Sequence, residues 1–336
     1  MRRKHPLYPL TFTPVLKDYI WGGRSLARRL DRKLPSGANI AESWEIAAHE
    51  NGDVSVSNGP LRGWRLATLL EDLGLDLVGW RAKWALERDK FPLLIKLLDA
   101  HRKLSVQVHP DDAYAAAHEV NELGKSEMWV VLHADPDAAV ILGVTAGTTR
   151  ERFRQAIAAG NLEPHLHRLR VRAGDFICVP SGSLHAILGG LLIAEIQQNS
   201  DITYRVYDWN RMGHDGNPRP LHVEQALAVI NFDQVEPSLP RARPLDVTGA
   251  VRRWELCSNQ YFVVERVAMD AGATFAGSCD GQSMEIWGTL SGRGTVAGSN
   301  YSVDLTGVRF TLLPAALGPF TVGASSASIW LRVYLP

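Results

Sequence analysis

The sequence predicts a mainly β protein: two β-barrels or sandwiches in tandem, with a few short helices. Three observations lead there. Short β-type runs separated by Gly, Pro, Asn and Asp turns fill most of the 336 residues. From about Val251 the texture is almost purely β, and 262–267, 284–287, 308–313, 320–322 and 328–334 alternate with Gly/Ser-rich turns. Residues 236–244 carry three prolines and read as a linker. The chain is also long for one core of ordinary size. The expected division is therefore 1–240, carrying the helices, and 241–336, a second barrel.

In chain order, 91–98, 104–109, 128–132, 176–179, 191–197 and 203–207 are candidate strands. Four stretches are expected to be helical: 24–30, 111–120, 149–159 and 223–229. Pro110 breaks the preceding strand, and Asp111-Asp112 favour a helix N-terminus. Thr148 or Thr149 can cap the third helix and Gly160 can end it. No repeat on the 20–50 residue scale stands out.

Composition narrows the function classes. Lys plus Arg is 36 and Asp plus Glu is 36, so there is no basic excess for nucleic acid or an anionic membrane. The basic start is broken by prolines and lacks an apolar h-region, so no signal peptide is expected. No apolar run reaches the ~18–20 residues of a membrane span. Cys178, Cys257 and Cys279 are too few and too scattered for a disulfide framework. They fit reduced thiols and a cytoplasmic protein. No glycine-rich loop suited to ATP or NAD occurs.

The chemistry concentrates in three segments. Along Leu104-Ser-Val-Gln-Val-His109, alternation puts Ser105, Gln107 and His109 on one face and Leu104, Val106 and Val108 on the other. The polar face either meets solvent or lines a barrel interior. In Gly124-Lys-Ser-Glu-Met-Trp-Val-Val-Leu132, Glu127 stands at the head of an apolar strand. The third segment runs Gly174-x5-Pro180-x-Gly182-x2-His185. Gly174-Asp175 turns into a strand, and Pro180 and Gly182 shape a tight reversal. The chain then re-enters as a strand with His185 aimed inward, a pattern that resembles the second signature of the cupin superfamily. Two histidines, a carboxylate and an amide oxygen make a ligand set for one divalent metal, and zinc, manganese, iron or cobalt could each fill it. All 11 histidines lie between His5 and His222, so a His-based site cannot draw on the C-terminal barrel. His165-Leu-His167 has ligand-pair spacing too, but Val171 and Arg172 stand where that signature wants Glu. These two are read as surface histidines in an arginine-rich loop.

The segments 107–112 (QVHPDD), 124–127 (GKSE), 179–187 (VPSGSLHAI) and 195–211 (EIQQNSDITYRVYDWNR) resemble the class I mannose-6-phosphate isomerases of the shorter bacterial type. Tyr19-Ile-Trp-Gly-Gly23 and Glu42-Ser-Trp-Glu-Ile46 match that family's N-terminal pattern. The likeness is dense over roughly 10–235. The C-terminal third adds only a generic β pattern and Leu312-Leu-Pro-Ala315. The resemblance implies tandem cupin (jelly-roll) barrels and a catalytic metal, usually zinc. It also implies interconversion of mannose 6-phosphate and fructose 6-phosphate, a small-molecule substrate. It makes Gln107, His109, Glu127 and His185 the ligands, with Gln-x-His in place of the general cupin His-x-His and Glu127 eighteen residues after His109. Both departures are habits of this family. They weigh against an iron oxygenase, which favours a 2-His-1-carboxylate triad.

Aldose–ketose isomerisation moves a proton between C1 and C2 through an enediol. It needs a polarised carbonyl, a proton carrier and a phosphate clamp. Lys125, two residues from Glu127, and Glu195, an acid in an apolar run, are the proton-carrier candidates. Glu195 is either desolvated for proton transfer or paired structurally. The resemblance places Arg205 in the active site, where a guanidinium suits phosphate or an enediolate. The competing reading of Arg205 is a salt-bridged barrel arginine. Ser105 and Lys96 are candidates on the phosphate side. The alternative function is a cupin that senses a sugar phosphate without turnover. The C-terminal barrel has two uses open to it, a homodimer interface or a buttress for the first barrel.

Overall fold

The structure, a computed structural model, describes residues 5–213 and 216–336. The basic start at 1–4 lies outside the described residues. The chain is mostly strands arranged in antiparallel sheets. Its described residues divide into two compact units, one of Leu16–Ser43 with Lys96–Pro240, the other of 5–15, Trp44–Ile95 and Arg241–Pro336. This differs from the expected split into 1–240 and 241–336. Two early stretches of chain group with the C-terminal sheets because backbone hydrogen bonds tie them there. Leu10 and Leu312 exchange two bonds, at 2.8 and 2.9 Å. Ala315 N donates to the Leu77 carbonyl, and Trp80 N to that of Gly281.

The histidine-bearing barrel is built from two sheets. The six-stranded one runs, edge to edge, Phe176–Val179, Glu127–Ala134, Leu191–Gln198, Leu93–Ala100, Glu42–Ile46, Val15–Lys17. The five-stranded one runs Leu166–Arg170, Ala139–Val144, His185–Ile187, Val106–Val108, Tyr204–Tyr207. Leu98, Trp129 and Ile193 from the first sheet share a buried cluster with Val140, Leu142 and Ile187 from the second. In the C-terminal barrel the six-stranded order is Arg309–Leu313, Glu285–Ser291, Ser328–Tyr334, Val263–Met269, Val251–Ser258, Arg243–Asp246. Its second sheet runs Ser302–Thr306, Arg293–Ala297, Gly318–Ala324, Thr274–Cys279. Strand for strand the two orders match, apart from a counterpart to Tyr204–Tyr207. The tandem cupin arrangement is thus a repeat of one strand plan.

The helices decide which face of the key strand looks inward. Asp112–His118, Arg150–Ala158 and Val223–Val229 lie on one side of the five-stranded sheet. Their Ala115, Phe153, Ala156, Ala226 and Leu227 share a core with Val106, Val108, Ile141 and Val206. The valines of the 104–109 strand therefore face helices, and alternation turns Ser105 and Gln107 to the barrel interior. Asp111 caps its helix by accepting from Tyr114 N at 2.8 Å, and Thr149 caps the next by accepting from Arg152 N at 3.3 Å.

Some elements were not foreseen. Helix Leu66–Leu73 buries Leu66, Leu69, Leu70 and Leu73, an i, i+3, i+4, i+7 stripe. Ala139–Val144 is a fully buried strand in the middle of its sheet. His165 and His167 do not lie in a loop: a single turn, Glu163–His165, passes into the edge strand Leu166–Arg170. Both are half-buried, and His165 Nδ1 lies 3.0 Å from Thr148 Oγ1. Among the described residues no helix is long and apolar enough to cross a membrane.

Candidate active site

Three strand ends converge inside the histidine-bearing barrel. His185 pairs in register with Gln107, which pairs with Arg205 on the far side. Glu127 pairs with Val179 and Gln197. Two glycines make this convergence possible. Gly182 sits at φ +84° in the reversal before His185. A Cβ on Gly124 would stand 2.4 Å from Asp112 N, so only glycine lets the 124–127 run pack against that helix start. His109 and Pro110 anchor the same corner: Gly182 N donates to the His109 carbonyl at 2.8 Å, and Lys125 N to that of Pro110 at 2.9 Å.

The structure brings His109, Glu127 and His185 together, with one ligand atom from each within 4.8 Å of the others. All three are at most 2% exposed. His185 Nδ1 lies 2.9 Å from the Ser183 carbonyl, which can only accept, so Nδ1 carries the proton and Nε2 keeps its lone pair. Among the described residues neither ring nitrogen of His109 has a hydrogen-bond partner, although both are buried; Nε2 stands 3.2 Å from Glu127 Oε1. Glu127 Oε1 is also 3.0 Å from Lys125 Nζ, and Oε2 accepts from Trp129 Nε1 at 3.1 Å. Burial, with help from Lys125, pushes His109 down to about 3. Burial likewise lowers His185. Burial works to raise Glu127, but Lys125 and His109 outweigh it and hold the carboxyl well below its usual range. At neutral pH the set is two neutral imidazoles and a carboxylate, the forms in which these side chains bind a divalent ion. That one of the two imidazoles, His109, is buried without a hydrogen-bond partner among the described residues fits the same conclusion. Gln107 adjoins the cluster with its Nε2 3.3 Å from His185 Nε2, while its Oε1 accepts from Ser105 Oγ at 3.1 Å.

Gln107, Glu127 and His185 lie in the wall of a cavity of about 330 Å³, which Lys96, Ser105, Lys125, Glu195 and Arg205 also line. Lys96 is 5% exposed and held between two carboxylates, Glu195 at 3.1 Å and Glu42 at 3.6 Å. It lines the cavity as a paired cation. Burial alone would lower its pKa, but Glu195 and Glu42 raise it. Glu195 is pushed up to about 7, first by burial and then by the charge of Glu127, with Lys96 pulling the other way. The two readings of Glu195, desolvated or paired, both describe it.

Arg205 makes no ion pair among the described residues. Its Nη1 donates to the Pro220 carbonyl at 2.9 Å, and its backbone N donates to His222 Nδ1 at 3.3 Å. Arg219 and His222 line the cavity beside it. Arg219 forms two bonds with Asp208, at 2.8 and 2.6 Å, and Arg211 a third at 2.5 Å. Sequence reasoning assigned no role to Arg219, His222, Asp201, Tyr19 or Glu42. Glu42 and Tyr19 stand in quoted motifs. Arg219 and His222 follow an aperiodic Gly/Pro stretch, where only the presence of a histidine hinted at use.

Comparison with known proteins fits this geometry. Residues 10–132 match the family model described as phosphomannose isomerase type I, catalytic domain. The chain is 37% identical over 319 residues to the probable mannose-6-phosphate isomerase GmuF of Bacillus subtilis (strain 168), covering 94% of this chain and 96% of that protein. It is 44% identical over 232 residues to a mannose-6-phosphate isomerase of Streptococcus mutans, covering 69% of this chain and 71% of that one. The crystal structure of the mannose 6-phosphate isomerase from Bacillus subtilis superposes with a TM-score of 0.86 at 33% identity, covering 97% of this chain and 99% of that one. The chain belongs to the type I phosphomannose isomerase family.

Proposed function

We propose that this family member interconverts mannose 6-phosphate and fructose 6-phosphate, with one divalent metal ion, zinc in the first instance. The buried His109–Glu127–His185 cluster, opening on a cavity that also holds Glu195 and Lys125, carries that reading. His109, Glu127 and His185 would hold the ion, joined by Gln107 once its amide turns to present Oε1. A bound divalent ion supplies Lewis-acid polarisation of a carbonyl and stabilises developing negative charge on oxygen.

The remaining roles fall to the chain itself. Glu195, poised near neutrality, removes the proton at C2 of the open-chain aldose and returns it to C1, passing through the enediol. Lys125, an ammonium fixed beside Glu127, donates toward the oxygen that gains charge. Lys96 holds Glu195 in place through their 3.1 Å ion pair. Arg205, with Arg219 and His222, presents cationic and N–H donors to the phosphate. Ser105, whose Oγ lies 3.1 Å from Gln107 Oε1, can accept from the Gln107 amide NH2 once Oε1 has turned to the ion. Three free cysteines fit a reducing compartment, and we place the protein in the cytoplasm.

A coupled assay for fructose 6-phosphate formed from mannose 6-phosphate tests the activity. Saturable binding of mannose 6-phosphate without turnover would instead establish the sensor reading.

A further inference from the structure

One side-chain pairing occurs twice among the described residues. In the histidine-bearing barrel Trp129 Nε1 donates to Glu127 Oε2 at 3.1 Å. In the C-terminal barrel Trp287 Nε1 donates to Glu285 Oε2 at 2.8 Å. Residues i and i+2 of a strand share a face, so in each case the indole reaches the carboxylate of its own strand. Both indoles are buried, at 1% and 0% exposure.

The strand register around the two pairs is the same. Glu127 faces Val179 and Gln197 on its neighbours, and Glu285 faces Leu313 and Tyr334. Trp129 faces Ile177 and Glu195, and Trp287 faces Thr311 and Arg332. Arg332 thus stands at the place that Glu195 holds in the first barrel. The charges around it are inverted. Glu42, Lys96 and Glu195 run acid, base, acid, at 3.6 and 3.1 Å. Arg253, Glu265 and Arg332 run base, acid, base, at 2.9 and 3.7 Å. The guanidinium of Arg332 then grips Glu285 at two points, Nε to Oε2 at 2.8 Å and Nη2 to Oε1 at 2.5 Å. Among the described residues no guanidinium grips Glu127: its oxygens face the single ammonium of Lys125 at 3.0 Å and two imidazole nitrogens at 3.2 and 3.9 Å.

We infer that Trp129 is a positioning residue for the metal centre, and that Arg332 takes the cation's part in the C-terminal barrel. The indole N–H occupies one lone pair of Glu127 and fixes the rotamer, so the remaining lone pairs point at the cation. The same ring packs edge-on against His185, with centroids 5.4 Å apart at 74°, and orients a second ligand. The inference rests on the metal-dependent reading above.

The C-terminal pair provides a matched control in the same molecule. Trp129→Phe and Trp287→Phe each remove one indole N–H from one buried carboxylate. Zinc affinity is read by chelator competition, and the d–d spectrum of the cobalt(II)-loaded chain reports the ligand field. Trp129→Phe is expected to weaken zinc about 10–100-fold and to change the cobalt spectrum, as loss of a partner behind a metal ligand does. Trp287→Phe is expected to leave both unchanged while lowering the unfolding midpoint of the metal-free protein. Trp129→Gln, which restores an N–H donor, should hold zinc more tightly than Trp129→Met; this pair carries the comparison if the phenylalanine variant does not fold. Equal zinc affinity in wild type and Trp129→Phe, or in Trp129→Gln and Trp129→Met, overturns the inference alone. A wild-type chain that holds no zinc overturns the metal reading itself.

Discussion

Replacing Glu195 by glutamine probes the proton carrier most sharply. The side chain keeps its size, and Lys96 keeps Glu42 at 3.6 Å, so the buried ammonium is not stranded. What disappears is a carboxylate whose burial brings its pKa to about 7. Removing a positioned general base typically costs 10²–10⁴-fold, so kcat should fall by about that factor while KM changes little. Losing one partner of the Lys96 ion pair should lower stability by about 1–3 kcal/mol, well short of the larger loss expected for an unpaired buried charge. In the wild type the base works as the carboxylate, so kcat/KM should rise as pH increases and level off above about 7. Below that the slope should approach tenfold per pH unit. The assay is initial rates of fructose 6-phosphate formation across pH, beside a thermal melt of each variant. A folded Glu195→Gln with kcat within a few-fold of wild type at pH 8 would show that another group moves the proton.

Other perturbations follow from the same geometry. Arg205→Ala removes a guanidinium whose described partner is only a carbonyl, so folding should survive. KM should rise by roughly 10–150-fold, matching about 1.5–3 kcal/mol for a charge-assisted bond, and Arg205→Lys should restore only part of it. Asp208 is held below its ordinary value: burial opposes, but hydrogen bonds from Arg219 and Arg211 win. Its contribution to stability is therefore present above its unfolded pKa and lost as pH falls through the folded value. Asp208→Asn should melt earlier than wild type at pH 7, and the gap should close in acid. Gly124→Ala forces a Cβ to within 2.4 Å of backbone, which should cost about 1–3 kcal/mol and loosen zinc as the 124–127 run shifts. His185→Ala should abolish zinc retention, measured by elemental analysis, along with activity.

Much of this site can be read from the sequence because short motifs carried mechanical roles. Gly174, Pro180 and Gly182 shape the reversal that brings in His185, and the strand Phe176–Val179 lies where those turns put it. The alternation in 104–109 left two readings open, and only the helices packed on Val106 and Val108 decide between them. That is a tertiary fact with no local signal. Lys96 shows what local pattern misses: it lines the cavity, but the acids that pair with it, Glu195 and Glu42, come from the two neighbouring strands of its sheet and lie far away in sequence. The units also mix distant stretches, since backbone bonds such as Leu10 to Leu312 link residues that no periodicity connects. Arg219 and His222 come from a loop after 204–207, where neither alternation nor helical spacing applies.

Zinc dependence of turnover tests the central claim most directly. The purified chain is stripped with a chelator, assayed with mannose 6-phosphate, then assayed again after zinc is returned. Activity lost on stripping and restored by about one zinc per chain is the expected result. Full activity in verified metal-free protein would contradict it.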